Sequence, residues 1–125
     1  MRLIRVVVAI VVLALTAGVA PAQTLYAPES LDRWFRVETH VERRAKGPVV
    51  WGYVYNNTNL LAERMTVQVE AFDASGAVIG TTTTWVPGLV PATYRAYFET
   101  RAPEAAQYRA RVLSFDWTGR GAGGN

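Results

Sequence analysis

From Phe35 onward the chain runs in short stretches of alternating apolar and polar side chains, each closed by Gly, Pro, Asn or Asp. A period of two sends successive side chains to opposite faces, so such stretches bury one face only as strands. Phe35, Val37, Thr39 and Val41 alternate with Arg36, Glu38, His40 and Glu42, and Arg43 to Pro48 forms a polar turn. Val49 to Tyr55 has Val50, Gly52 and Val54 on one face and Trp51, Tyr53 and Tyr55 on the other, and Asn56 to Asn59 closes it. Met65, Val67, Val69 and Ala71 alternate with Arg64, Thr66, Gln68 and Glu70 before the turn Asp73-Ala74-Ser75-Gly76. Ala77 to Val86 contains four consecutive threonines, whose branched β-carbons disfavour a helix. Thr93 to Thr100 and Gln107 to Trp117 complete a set of six strands, the last with Tyr108, Ala110 and Val112 inward. Strands at intervals of about 10 to 15 residues, with no βαβ spacing, predict an all-β chain. The expected fold is an antiparallel immunoglobulin-like β-sandwich of about six to seven strands.

The first 22 residues differ in kind. Arg2 and Arg5 precede an uncharged run from Val6 to Ala20, and Ala20-Pro21-Ala22 places small residues where a signal peptidase reads them. The expectation is a signal peptide over 1–22, cleaved before Gln23, and an exported product, periplasmic or extracellular. The alternative is a retained anchor, but a spanning helix takes roughly 20 apolar residues and this run is shorter, with Gly18 and Pro21 at its end. No cysteine follows it, which excludes a lipid-anchored N-terminus, and no membrane span is expected after cleavage. Residues 23–31, with Pro28 and no period, read as a leader arm, although Ser30 to Trp34 could begin a helix or a turn. Residues 32–118 form the sandwich domain, and the glycine-rich 119–125 a flexible tail.

Removing the leader changes the charge. The whole chain carries +3, but without Arg2 and Arg5 eleven basic residues face ten acidic ones. Basicity therefore offers no case for nucleic acid or an anionic membrane. With no Cys there is no disulfide framework and no thiol chemistry, so the domain is held by packing. All four Trp, six Tyr and four Phe lie beyond residue 22.

The segment from 48 to 115 resembles the FxLYD family of small immunoglobulin-like domains from exported prokaryotic proteins. The resemblance is carried by Gly52-Tyr53-Val54-Tyr55-Asn56, Ala62, the strand Met65 to Val69, Ser75 to Gly80, and Leu89-Val90-Pro91 with Ala96 and Phe98. Val69-Glu70-Ala71-Phe72-Asp73 lies where the naming motif falls, with only Asp73 literal, and Ala92 stands where the family usually has Gly. The family has no common catalytic residues, so the resemblance implies a structural or interaction role. The same residues also have direct physical readings. Gly52 leaves room for a facing ring, Asn56 bonds the main chain of its turn, Asp73 caps the hairpin that Gly76 ends, and Phe98 fills the core.

Two constellations could carry chemistry. Glu38, His40 and Glu42 project from one strand face, but a metal site commonly takes more than one His, and the chain has one. They read as a solvated face, and no metal or cofactor is expected. Ser30, Ser75 and Ser114 lie in no nucleophile turn, so His40 has no evident catalytic serine and no enzyme is expected. Asn56-Asn57-Thr58 matches a glycosylation acceptor, and Arg43, Arg44 and Lys46 form a small solvated basic turn.

The row Trp51, Tyr53 and Tyr55 is the strongest lead. It either packs between sheets or forms a contact surface, with Val50 and Val54 supplying the inward face in the second case. The expected role is a structural or protein-interaction module whose partner is another envelope or secreted protein. The alternative is a carbohydrate-binding module that uses the same rings to hold a glycan.

Overall fold

A computed structural model describes residues 26–118. The expected signal peptide and glycine-rich tail lie outside the described residues. One short helix, α1 (Pro28–Trp34), precedes six strands: β1 (Phe35–Arg44), β2 (Gly47–Asn56), β3 (Ala62–Phe72), β4 (Val78–Trp85), β5 (Arg95–Arg101) and β6 (Gln107–Trp117). They form two three-stranded antiparallel sheets, β1-β2-β5 and β4-β3-β6, giving an all-β, sandwich-like fold. Among the described residues no helix is long and apolar enough to cross a membrane.

The arm expected over 23–31 departs from that reading in its second half. Pro28 opens α1 in its first turn, Glu29 and Arg33 suit the two ends of the helix dipole, and Leu31 is buried. The Phe35 amide donates to the Leu31 carbonyl, so the helix passes directly into β1. Trp34, Phe35, Phe115, Trp117 and Tyr26 then interlock, mostly edge to face, with neighbouring ring centroids between 4.6 and 6.1 Å apart. This cluster pins the helix to the end of β6.

The shared core is supplied by the inward residues of both sheets: Val50, Val54, Ala96 and Phe98 from the first, and Met65, Val67, Val69, Val112 and Phe115 from the second. Phe98 is fully buried, as the alternation of β5 predicts. Burial fades along β1 after Thr39, and Val41, expected inward, is half exposed because it lies on the edge strand, while its ladder partner Val50 on β2 is fully buried. That hairpin is also longer than the sequence suggests: the ladder runs to Arg44↔Gly47, leaving only Ala45 and Lys46 in the turn. β5 begins at Arg95, not Thr93. Thr93 has a left-handed φ of 53° and its amide donates to the Thr58 carbonyl, so it belongs to the preceding loop. In β3 the alternation slips at Arg64 (φ 49°), and Met65 and Thr66 are both buried. The Thr66 hydroxyl is satisfied by the Ser114 hydroxyl at 2.7 Å.

Candidate functional site

The outer face of the first sheet holds the aromatic row. Antiparallel register sets three ranks across it: Arg36, Tyr55 and Arg95; Glu38, Tyr53 and Tyr97; His40, Trp51 and Glu99. Val50, Gly52 and Val54 take the inward positions, so the rings do not pack between the sheets. They are half-buried nonetheless, because their neighbours on the same face cover them. His40 stacks on Trp51, with centroids 4.5 Å apart and planes at 27°. The Arg36 guanidinium lies 4.1 Å over Tyr55, and that of Arg95 lies 4.0 Å over Tyr53. Tyr97 meets both Trp51 and Tyr53, at 6.1 and 5.8 Å, and stays 41% exposed.

Hydrogen bonds tie the polar atoms into one network. The Tyr55 hydroxyl accepts from Arg95 at 3.2 Å and donates to Glu38 at 2.7 Å. His40 Nε2 lies 2.6 Å from the other Glu38 oxygen. The bonds from His40 and then from Tyr55 hold the Glu38 carboxyl below the usual carboxylate range. At the next rank Tyr97 donates to Glu99 at 2.5 Å, and Arg44 reaches the other Glu99 oxygen at 3.2 Å. Tyr97 first, and Arg44 with it, lowers the Glu99 carboxyl, while the same bond raises the Tyr97 phenol. The result is a flat lattice of rings and guanidiniums with anchored carboxylates between them. Such a surface offers aromatic area, fixed donors and both signs of charge at little entropic cost, which suits contact with a polar protein surface.

The other predicted residues serve the framework. Asn56 is 2% exposed and its amide closes the β2–β3 loop: Nδ2 donates to the Leu60 carbonyl at 2.8 Å and the Val90 carbonyl at 3.3 Å, and Oδ1 accepts from the Thr58 amide and hydroxyl. The acceptor asparagine of the glycosylation pattern is therefore engaged inside the fold. Asp73 Oδ1 accepts from the Ser75 amide, the Ser75 hydroxyl and the Ala77 amide, and Gly76 takes a left-handed φ of 91° in that turn. Gly52 requires a different account from the one expected. A Cβ there would stand 1.8 Å from the Glu38 carbonyl oxygen, so it is the β1 backbone that needs the space, not a ring.

Glu38, His40 and Glu42 do not converge. Glu38 and His40 pair, while Glu42 takes Arg44 at 3.0 Å. Among the described residues no group of three His, Cys, Asp or Glu comes together to hold a metal. Ser75 and Ser114 bond Asp73 and Thr66. The residues that complete the face, Arg36, Arg95 and Tyr97, carry one sequence signal, their outward parity on flanking strands. Which ring each would cover depends on register. No family model matches the chain, and neither a curated protein nor a solved structure is detectably similar.

Proposed function

We propose that this is an exported, non-catalytic domain that acts as a protein-interaction module of the cell envelope, using the outer face of β1-β2-β5. The observation that carries the reading is the three-rank lattice around Trp51, Tyr53 and Tyr97, an aromatic and guanidinium surface outside the core. Trp, Tyr and Arg are the residues that concentrate binding energy at protein interfaces. The finer fold assignment is an immunoglobulin-like sandwich related to the FxLYD family. The strand order supports it, since β1, β2 and β5 fall where such domains place A, B and E, and β3 and β6 where they place C and F. The leader over 1–22 directs export, and the mass of the secreted product tests cleavage before Gln23.

Carbohydrate binding is the competing reading. The ring faces of Trp51, Tyr53 and Tyr55 already carry His40, Arg95 and Arg36, so a sugar would have to displace those groups before stacking. The deciding experiment compares the exported protein with Trp51→Ala and Tyr53→Ala variants in capture from envelope extracts, with thermal melts as the folding control. A central ring worth about 2 kcal/mol implies a loss of about 30-fold in affinity. Folded variants that capture the same proteins as the wild type refute the assignment. A saturable tryptophan fluorescence shift with a single glycan would transfer the face to carbohydrate.

A further inference from the structure

Among the described residues the sandwich has four edge strands, and three of them are charged. β1 carries Arg36, Glu38, Glu42, Arg43 and Arg44; β5 carries Arg95, Glu99 and Arg101; β6 carries Arg109, Arg111 and Asp116. Charge on an edge is a usual means of preventing another strand from adding to it. β4, Val78-Ile79-Gly80-Thr81-Thr82-Thr83-Thr84-Trp85, has no charged residue and no proline. Among the described residues it pairs with β3 alone, so one row of its backbone groups faces outward. Its ends are apolar and open: Trp85 is 60% exposed, and Val78 and Ile79 are each about half exposed.

We infer that β4 is a self-association edge, which pairs antiparallel with β4 of a second copy about a two-fold axis through Thr82. The pattern of the strand names the occupant. Antiparallel partners share a face, so a two-fold register must centre on one residue. Centring on Thr82 sets Thr81 opposite Thr83 and Gly80 opposite Thr84, and brings Val78 and Ile79 of one copy beside Trp85 of the other. Each exposed apolar end thus covers its counterpart, and threonine meets threonine between them, a favourable cross-strand pair. The small shift of ladder register at Ala71/Phe72 affects only the Val78 end and leaves Gly80 to Trp85 regular. Charge permits the approach. Glu70, the β3 acid beside Thr81, is held by Arg109 at 3.3 Å, and the β3 neighbour of Thr83 is the uncharged Gln68. A contact of this kind is isologous and closes at two copies, and it joins the second sheets into one of six strands. It uses the sheet opposite to the aromatic face and does not rest on that face's proposed role.

The test is sedimentation velocity of the full chain, produced with export, over a concentration series. A reversible monomer–dimer equilibrium is expected. Thr81→Lys with Thr83→Lys places lysine against lysine twice across the axis and is expected to weaken the dimer by about tenfold or more. Thr81→Lys with Thr83→Glu places lysine against glutamate twice in the same register and is expected to restore it. Thermal melts of both variants check that each is folded. A wild-type chain that stays monomeric at its highest soluble concentration overturns the inference. A dimer indifferent to the double lysine variant also overturns it, as does a lysine–glutamate variant that is folded but not restored. A register centred on Thr83 would set glutamate against glutamate and give that last result.

Discussion

Gly52→Ala should unfold this protein more readily than any other single methyl addition to its strands. The added Cβ would lie 1.8 Å from the Glu38 carbonyl oxygen, 2.8 Å from the carbonyl carbon and 3.1 Å from Thr39 Cα. Real Cβ contacts essentially never fall below 3.0 Å, so β1 must retreat by about 1.2 Å at this point. It is poorly free to do so, since it is laddered to β2 from Phe35 to Arg44 and the Glu38 side chain is tied to Tyr55 and His40. Overpacking of a tight site costs about 1–3 kcal/mol, and each ladder bond broken to relieve it adds about 1 kcal/mol. Alanine returns somewhat less than 1 kcal/mol through the stiffer unfolded chain. With two ladder bonds broken, a net loss of about 2–4 kcal/mol follows, which for a domain of this size lowers the melting temperature by about 8–32 °C. Circular dichroism melts and urea titrations measure it, with Gly80→Ala as reference. A Cβ on Gly80 meets only the edge of the Pro103 ring at 3.0 Å, and the cost there should stay within about 1 kcal/mol. If Gly52→Ala melts as close to the wild type as Gly80→Ala does, close backbone approach is not what the glycine provides.

Asn56→Ala removes an amide that serves Leu60, Val90 and Thr58 at once, and should lower the urea unfolding free energy by about 2–3 kcal/mol; a loss under about 1 kcal/mol contradicts the role assigned to it. Acid should destabilise the fold through Glu38, Asp73 and Glu99, all held below the usual carboxylate range, Asp73 by the Ser75 hydroxyl and the Ala77 amide. Their contribution is complete above the ordinary carboxylate value near pH 4 and is lost as pH falls through the lower native values. Thermal melts against pH should show this limb, flattened in Glu38→Gln, and a melting temperature constant through the acid range would exclude it. Tyr97 acts at the other end: its raised phenol contributes fully below the ordinary value of about 10 and loses that contribution as pH climbs through the native one.

The strands were legible because their alternation is local. The parity that puts Val50 and Val54 inward and Trp51, Tyr53 and Tyr55 outward is written in β2 itself, and so is the burial of Phe98 in β5. What escaped was set by contacts across the chain. A seven-residue helix with one buried side chain, Leu31, is too short to show a period, and it is held by Phe115 and Trp117 from far along the sequence. The fading of burial at Val41 reflects its place on an edge strand, a tertiary fact. The assembly of Arg36, Tyr97 and Arg95 around the aromatic row needs the register of two separate ladders, and parity alone cannot supply it. Gly52 was recognisable as a close approach, but the approaching group, a carbonyl of the neighbouring strand, was not.

The four tryptophans are distributed so that the molecule carries its own optical probes. Trp34 and Trp117 sit in the ring cluster that joins α1 to β6, Trp51 lies under His40 on the outer face of the first sheet, and Trp85 stands at the open edge of the second. Single Trp→Phe replacements can therefore partition the intrinsic emission. Loss of Trp34 or Trp117 removes the part that follows the docking of α1 on β6, loss of Trp51 the part that would follow the proposed occupation of the aromatic face, and loss of Trp85 the part that would follow the proposed pairing at β4. Comparing the replacements thus separates helix docking from the two proposed contacts without any added label.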